Sequence, residues 1–208
     1  MKKALVVSYL PSGEYSNTKQ LLDYFFTKAK NIEIEHLDLI EKSPVFFGYE
    51  SMGAYYTRNY QGKELTESQK QAIAPMDAMC EQFAKADVVI FAHPMHNFSL
   101  PGIIKTYLDS VMQKGVAFDY GKNGPYGKLG GKKVLVLYTS GGSYSPDTYN
   151  IQYPNWNTLE FTMKVNFSFA GITDYAFVTA STGNPAKTAE NIEKAKIQVE
   201  KVISDWQL

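Results

Sequence analysis

The sequence predicts a doubly wound α/β domain built on a five-stranded parallel sheet in the order 2-1-3-4-5. Short apolar, β-branched runs recur along the chain and alternate with segments of helical apolar spacing. One such run, Asp87 to Phe91 (DVVIF), passes through the short loop His93 to Ser99 straight into a helix, which is half of a parallel βαβ unit. The run Ile32 to Asp38 (IEIEHLD) alternates polar and apolar residues, as a wetter strand at a sheet edge does. With no internal repeat and no linker, residues 1–208 read as a single domain.

The first strand is Lys3 to Ser8 (KALVVS), followed by a turn carrying Pro11 and Gly13. Ser16 caps the first helix, whose inner face is Leu21, Leu22, Phe25, Phe26 and Ala29. From Leu39 to Leu65 no period is legible, and a long aromatic connection is expected. Thr66 with Gln69 forms a capping box for a helix to about Lys85, with Ile73, Met76, Met79, Cys80 and Phe83 on its packed side. Cys80 on that side reads as core. In the helix after the central strand, Ser99 is the expected cap, Pro101 lies in the first turn, and Ile103, Ile104, Tyr107, Leu108 and Val111 face inward. Val116, Phe118 and Tyr120 alternate before a Gly/Asn/Pro turn, which predicts a short extended excursion. Val134 to Tyr138 (VLVLY) is the fourth strand of the sheet. Asn157 and Glu160 form a capping box for a helix carrying Leu159, Phe161, Met163, Phe167 and Phe169. Asp174 to Ala180 is the fifth strand, and a final helix runs from about Pro185.

Composition removes several function classes. Lys plus Arg and Asp plus Glu both number 21, with no basic cluster, so neither nucleic acid nor an anionic membrane is the expected partner. The lone cysteine, Cys80, cannot form an internal disulfide, and the N-terminus runs into a strand instead of a leader, so a cytoplasmic protein is expected. Loop aromatics are abundant: Phe46, Phe47, Tyr49, Tyr55, Tyr56, Tyr60, Tyr120, Tyr126, Tyr144, Tyr149, Tyr153 and Trp156. They suit either a flat aromatic ligand, a large subunit interface, or the padding of a loop-rich surface.

In this flavodoxin-like strand order the ligand crevice lies at the switch point between the first and third strands, at their carboxyl ends. Three loops converge there: Tyr9 to Thr18, His93 to Ser99, and Thr139 to Tyr144. There is no G-x-G-x-x-G after the first strand, no G-x-x-x-x-G-K-[ST] and no G-x-S-x-G, so a dinucleotide site, a P-loop and a nucleophile elbow are not expected. His93 and His96 lack the further ligands a metal needs. Flavin mononucleotide (FMN) suits what remains. Its phosphate can sit on the first helix start at Ser16, Asn17 and Thr18, where unpaired N–H groups and the helix dipole favour negative charge. Its ring can meet the loop at 95–98 and the glycine loop at 139–142.

MHNF after the third strand, TSGG after the fourth, YSNT at the first helix, GVAFDY, the NGPYG…GGKK run and FAGITD occur in this order over nearly the whole chain. Together they resemble the FMN-dependent NADH:quinone oxidoreductases known as azoreductases. The resemblance implies a homodimer with two FMN sites that takes hydride from NADH or NADPH and reduces quinones and azo compounds by a ping-pong route. It implies that Ser16, Asn17 and Thr18 hold the phosphate, that Met95, His96, Asn97 and Phe98 line the isoalloxazine, and that Thr139, Ser140, Gly141 and Gly142 surround its O2 and N3 end. No side chain acts as a nucleophile, since the flavin carries the chemistry. Phe118 and Tyr120, as an outward aromatic pair, are expected to reach across the subunit interface into the acceptor pocket. The chain departs from the family at Tyr9-Leu10, where a serine is usual, and at His96, where tyrosine is frequent. Two rival classes remain: a flavodoxin-type electron carrier, which would not oxidise NADH rapidly with a small quinone, and a hydrolase, which would bind no flavin.

Overall fold

The computed structural model describes residues 1–144 and 156–208. Tyr149 and Tyr153 of the aromatic set lie outside the described residues. The strands are β1 (Lys2–Ser8), β2 (Ile32–Asp38), β3 (Val88–Pro94), β4 (Phe118–Gly121), β5 (Gly124–Gly127), β6 (Lys133–Ser140) and β7 (Asp174–Ser181). The helices are α1 (Asn17–Lys28), α2 (Tyr49–Asn59), α3 (Glu67–Lys85), α4 (Gly102–Val111), α5 (Thr158–Phe169) and α6 (Pro185–Trp206).

The main sheet has five parallel strands in the order β2-β1-β3-β6-β7, which is 2-1-3-4-5 once the β4–β5 hairpin is set aside. The central strands read as unbroken apolar runs because both of their faces are covered. Leu5, Val7, Val89, Phe91, Val134, Val136 and Tyr138 face the layer that holds α3, α4 and α5. Ala4, Val6, Val88, Ile90, Ala92, Leu135 and Leu137 face α1 and α6. β2 keeps alternate exposed residues at the edge, as its polar alternation requires. Ser16 caps α1 and Thr66 caps α3 in a reciprocal box with Gln69. Cys80 is buried, its thiol on the Val111 carbonyl at 3.4 Å, and burial pushes that thiol up to about 12, which makes it a core residue.

The structure corrects several expectations. The segment 39–65 contains α2, where an aperiodic connection was expected. The buried residues of α2 are Ser51 and Ala54, with Ala54 packed against Ile73 and Met76 of α3, while Tyr49, Met52 and Tyr56 point outward. Aromatics on the outer face blur the 3.6 period, and Gly53 interrupts it, so tertiary packing decides this helix. Ser99 does not cap α4. Its N–H donates to the His96 carbonyl at 2.9 Å, the His96 N–H donates back at 3.0 Å, and Pro101 takes the cap position. Asn157 accepts from the Glu160 N–H, but the Glu160 carboxylate serves Tyr138 and Lys164 instead of closing a box. On the same helix Phe161 is 69% exposed, so the inner face is Leu159, Met163 and Phe167.

The predicted excursion is the antiparallel hairpin β4–β5, but its aromatics are not an outward pair. Phe118 is 6% exposed, with its ring 4.5 Å from that of Phe169 at the end of α5; of the two, Tyr120, at 53%, is the one that faces out. The two side chains share one strand face, but the close docking of the hairpin on α5 sinks the one nearer its base.

Candidate functional site

The three loops do converge, and backbone bonds tie them together at the carboxyl ends of β1, β3 and β6. The Tyr9 N–H donates to the Ala92 carbonyl at 2.9 Å, and the Met95 N–H to the Thr139 carbonyl at 2.8 Å. Thr18, with 0% exposure, shares a hydroxyl hydrogen bond of 2.7 Å with Thr139. Buried hydroxyls are retained only when partnered, so this bond fixes the start of α1 against the end of β6.

At the helix start the Ser16 hydroxyl accepts from the Lys19 N–H at 3.3 Å. The N–H groups of Asn17 and Thr18 lie in the turn that a helix leaves without intrahelical acceptors, at the positive end of its dipole. Asn17 accepts through its side-chain oxygen from Gln20 at 3.1 Å. The arrangement suits a phosphate.

The second loop makes a tight turn closed by the His96–Ser99 bridge, and Asn97 and Phe98 adopt φ of 46° and 66°. Left-handed backbone at two successive non-glycine residues costs about 1–2 kcal/mol each and clusters at ligand clamps. The turn is held from outside: the Phe98 carbonyl accepts from the Thr158 N–H at 3.1 Å and the Thr158 hydroxyl at 2.7 Å. The Phe98 ring lies 4.5 Å from Trp156 and 5.9 Å from Tyr144. Met95 is half-buried against the core, while His96 and Asn97 are exposed. Tyr9 meets His96 edge to face at 5.9 Å, so the two departures from the family pattern stand against each other across the crevice. Beneath the loop His93 is fully buried; its Nδ1 bonds the Pro94 carbonyl at 3.0 Å, and burial lowers its pKa to about 4, so the ring is neutral at pH 7.

The third loop follows β6. The Ser140 hydroxyl donates to the Gly142 carbonyl at 2.7 Å and folds the turn back on itself. Among the described residues a Cβ at Gly141 would meet no atom within 4 Å, so this backbone is open to them on that side; a Cβ at Gly183 would lie 2.0 Å from the Gly141 carbonyl oxygen, so the loop after β7 supports Gly141 from the other. The Thr182 N–H donates to the Ser140 carbonyl at 2.8 Å. Ser16, Asn17, Thr18, Met95, His96, Asn97, Phe98, Thr139, Ser140, Gly141 and Gly142 therefore belong to the three joined loops. Phe118 and Tyr120 do not. Sequence reading placed Tyr9 in the first loop but missed its contact with His96, the Gly183 support and the Trp156 contact; the TG pair at 182–183 after β7 was the available signal for the Gly183 support.

A helix start for an anion, exposed main chain in a strained turn, an open glycine backbone and aromatic flanks form a donor set that fits FMN. Among the described residues no group of His, Cys, Asp and Glu could hold a metal ion, and no helix is long and apolar enough to cross a membrane.

Comparison with known proteins agrees with this chemistry. The model of the flavodoxin-like fold matches residues 2–203. An FMN-dependent NADH:quinone oxidoreductase of Haemophilus influenzae is 33% identical over 205 residues, covering 99% of this chain and 97% of that protein. The crystal structure of an azoreductase from Bacillus anthracis superposes with a TM-score of 0.87 at 27% identity, covering 97% of this chain and 98% of the other. An FMN-dependent NADH-azoreductase from the same species, in complex with FMN, gives a TM-score of 0.85 at 27% identity over 99% of each chain. The chain belongs to the FMN-dependent NADH:quinone oxidoreductase family, built on the flavodoxin-like fold.

Proposed function

We infer that the protein is an FMN-dependent oxidoreductase that transfers a hydride from NADH to quinones and reduces azo compounds. The observation that carries this reading is the joining of the three loops through Thr18, Met95 and Thr139 at the carboxyl ends of β1, β3 and β6. When bound, FMN supplies the two-electron chemistry, taking hydride from the nicotinamide and giving it to the acceptor. The chain binds and orients. The first turn of α1, at Ser16, Asn17 and Thr18, would hold the phosphate. The turn Met95–Phe98 would support one edge of the ring, and Thr139 to Gly142 would present N–H groups where negative charge collects on reduction.

We place nicotinamide and acceptor on one flavin face in turn, the basis of a ping-pong route. Steady-state plots with NADH and a small quinone are expected to give parallel lines. Intersecting lines would mean a ternary complex and separate subsites.

We further propose a homodimer, a reading that the position of the hairpin supports. α5 starts at the Phe98 turn through Thr158 and ends at Phe169 beside Phe118. At 1.5 Å per residue its twelve residues span about 18 Å. Tyr120 therefore stands well away from the flavin loop of its own chain, and a role in the acceptor pocket requires the loop of a second copy. Phe161, Val165 and Phe169, spaced by four along α5 and 69%, 51% and 39% exposed, offer an apolar stripe suited to that partner. Phe118 backs Tyr120 in this arrangement, their rings edge to face at 5.9 Å.

A further inference from the structure

α5 begins on the carbonyl of Phe98. The first N–H groups of a helix have no acceptor within the helix and stand at the positive end of its dipole. Thr158, the first residue of α5, brings two donors to the Phe98 carbonyl oxygen, its N–H at 3.1 Å and its hydroxyl at 2.7 Å. The N–H is shared with the Trp156 carbonyl at 2.9 Å, so the hydroxyl is the stronger link to Phe98. With two donors on one carbonyl, the peptide between Phe98 and Ser99 cannot rotate without breaking both bonds. That matters at this turn, because Asn97 and Phe98 both hold left-handed backbone, which persists only where the surroundings enforce it.

The same peptide passes the pull on. Its N–H, that of Ser99, donates to the His96 carbonyl at 2.9 Å, and the His96 carbonyl shares a peptide with the N–H of Asn97. A main-chain N–H only donates and a carbonyl only accepts, so the series has one direction: from Thr158 to Phe98, from Ser99 to His96, and outward through Asn97. Among the described residues none accepts the Asn97 N–H. Hydrogen bonds in series polarise one another. A donor on the Phe98 carbonyl therefore makes the Ser99 N–H more positive, and that bond makes the Asn97 N–H a better donor in its turn.

We propose that Thr158 is a positioning residue for the flavin: its hydroxyl locks the strained turn and, through the two peptides in series, strengthens the Asn97 N–H as a donor to the edge of the ring. The proposal rests on the reading of the three joined loops as an FMN site. A stronger donor favours the flavin state that carries more negative charge. Thr158 thus holds reduced FMN more tightly than oxidised FMN and raises the midpoint potential of the bound flavin. The Thr158 side chain is exposed, so replacing it disturbs no core packing.

Thr158→Val keeps the branched shape and removes the hydroxyl, whereas Thr158→Ser keeps the hydroxyl. Flavin-free protein is titrated with FMN, read by the quenching of flavin fluorescence, and the midpoint potential of the FMN-loaded protein is measured against a reference dye. Thr158→Val is expected to raise the Kd of oxidised FMN about fivefold, as loss of one net hydrogen bond does. Reduced FMN should lose about threefold more, which at about 30 mV per tenfold for a two-electron couple lowers the midpoint by about 14 mV. Thr158→Ser should keep the wild-type Kd and midpoint, and the thermal midpoint of either flavin-free variant should stay within about 2 °C of wild type. If Thr158→Val weakens both flavin states equally and leaves the potential unchanged, Thr158 is merely structural and the proposal fails. It fails as well if neither quantity changes, or if Thr158→Ser behaves as Thr158→Val does; in each case the FMN site itself stands. Wild-type protein that binds no FMN would overturn the reading of the site and the proposal with it.

Discussion

Gly141→Val is expected to leave the protein folded and nearly colourless. A Cβ at this position meets no atom of the described residues within 4 Å, so they bear the substitution. The loop cannot retreat to make room for a ligand, because the Gly141 carbonyl is backed by Gly183 at a distance that admits no Cβ, and the Ser181 hydroxyl reaches the same carbonyl at 3.4 Å. In the proposed site the valine methyls then occupy space that the flavin would need. Overpacking of roughly 1–3 kcal/mol corresponds to an affinity loss of about five- to 150-fold. The ratio of flavin to protein after gel filtration, with the thermal midpoint of the flavin-free protein, checks it. A variant that keeps full flavin absorbance would remove Gly141 from the site.

Gly127→Ala is expected to cost stability on a scale unusual for one methyl group. Its Cβ would lie 2.0 Å from the Gly171 nitrogen and 2.2 Å from the Ala170 carbonyl carbon. Both are backbone atoms, so no rotamer change relieves the overlap. Gly171 has φ of 81° just past α5, the left-handed exit that lets the chain turn beneath the hairpin. Separating the two segments strains the bond from the Leu129 N–H to the Ala170 carbonyl, at 2.9 Å, and the seat of Phe118 on Phe169. A loss of about 3 kcal/mol is expected, which in a chain of this size lowers Tm by roughly 6–12 °C. Quinone turnover should fall too, since the hairpin carries Tyr120. Calorimetry of the flavin-free protein decides the matter: a midpoint within about 2 °C of wild type would mean the hairpin is not anchored at this contact.

The sheet order and the three loops were legible in the sequence because parallel strands covered on both faces leave apolar runs that no polar residue interrupts. Ser16 and Thr66 announced their helices because N-capping is local chemistry. What the sequence hid depends on neighbours distant in the chain. α2 fully buries Ser51 and Ala54 while Tyr49, Met52 and Tyr56 point outward, so its periodicity speaks for a surface and not for the core. Ser99 has the composition of a cap, but the turn at Asn97 and Phe98 uses its backbone first. Phe118 and Tyr120 share one strand face, and only the packing against Phe169 separates a buried ring from an exposed one. Within the candidate site the glycine loop and the helix start were readable as motifs. The Tyr9–His96 contact and the support from Gly183 were not, because each joins segments whose proximity only the folded sheet creates.

The most direct test of the flavin-dependent hydride transfer assigned to the joined loops is the visible spectrum of the FMN-reconstituted protein under anaerobic conditions, followed through one addition of NADH and then one of a small quinone. The oxidised flavin band should persist through gel filtration, bleach on addition of a stoichiometric amount of NADH, and return in full when the quinone is added. A protein that retains no flavin, or whose retained flavin is not bleached by NADH, would contradict it.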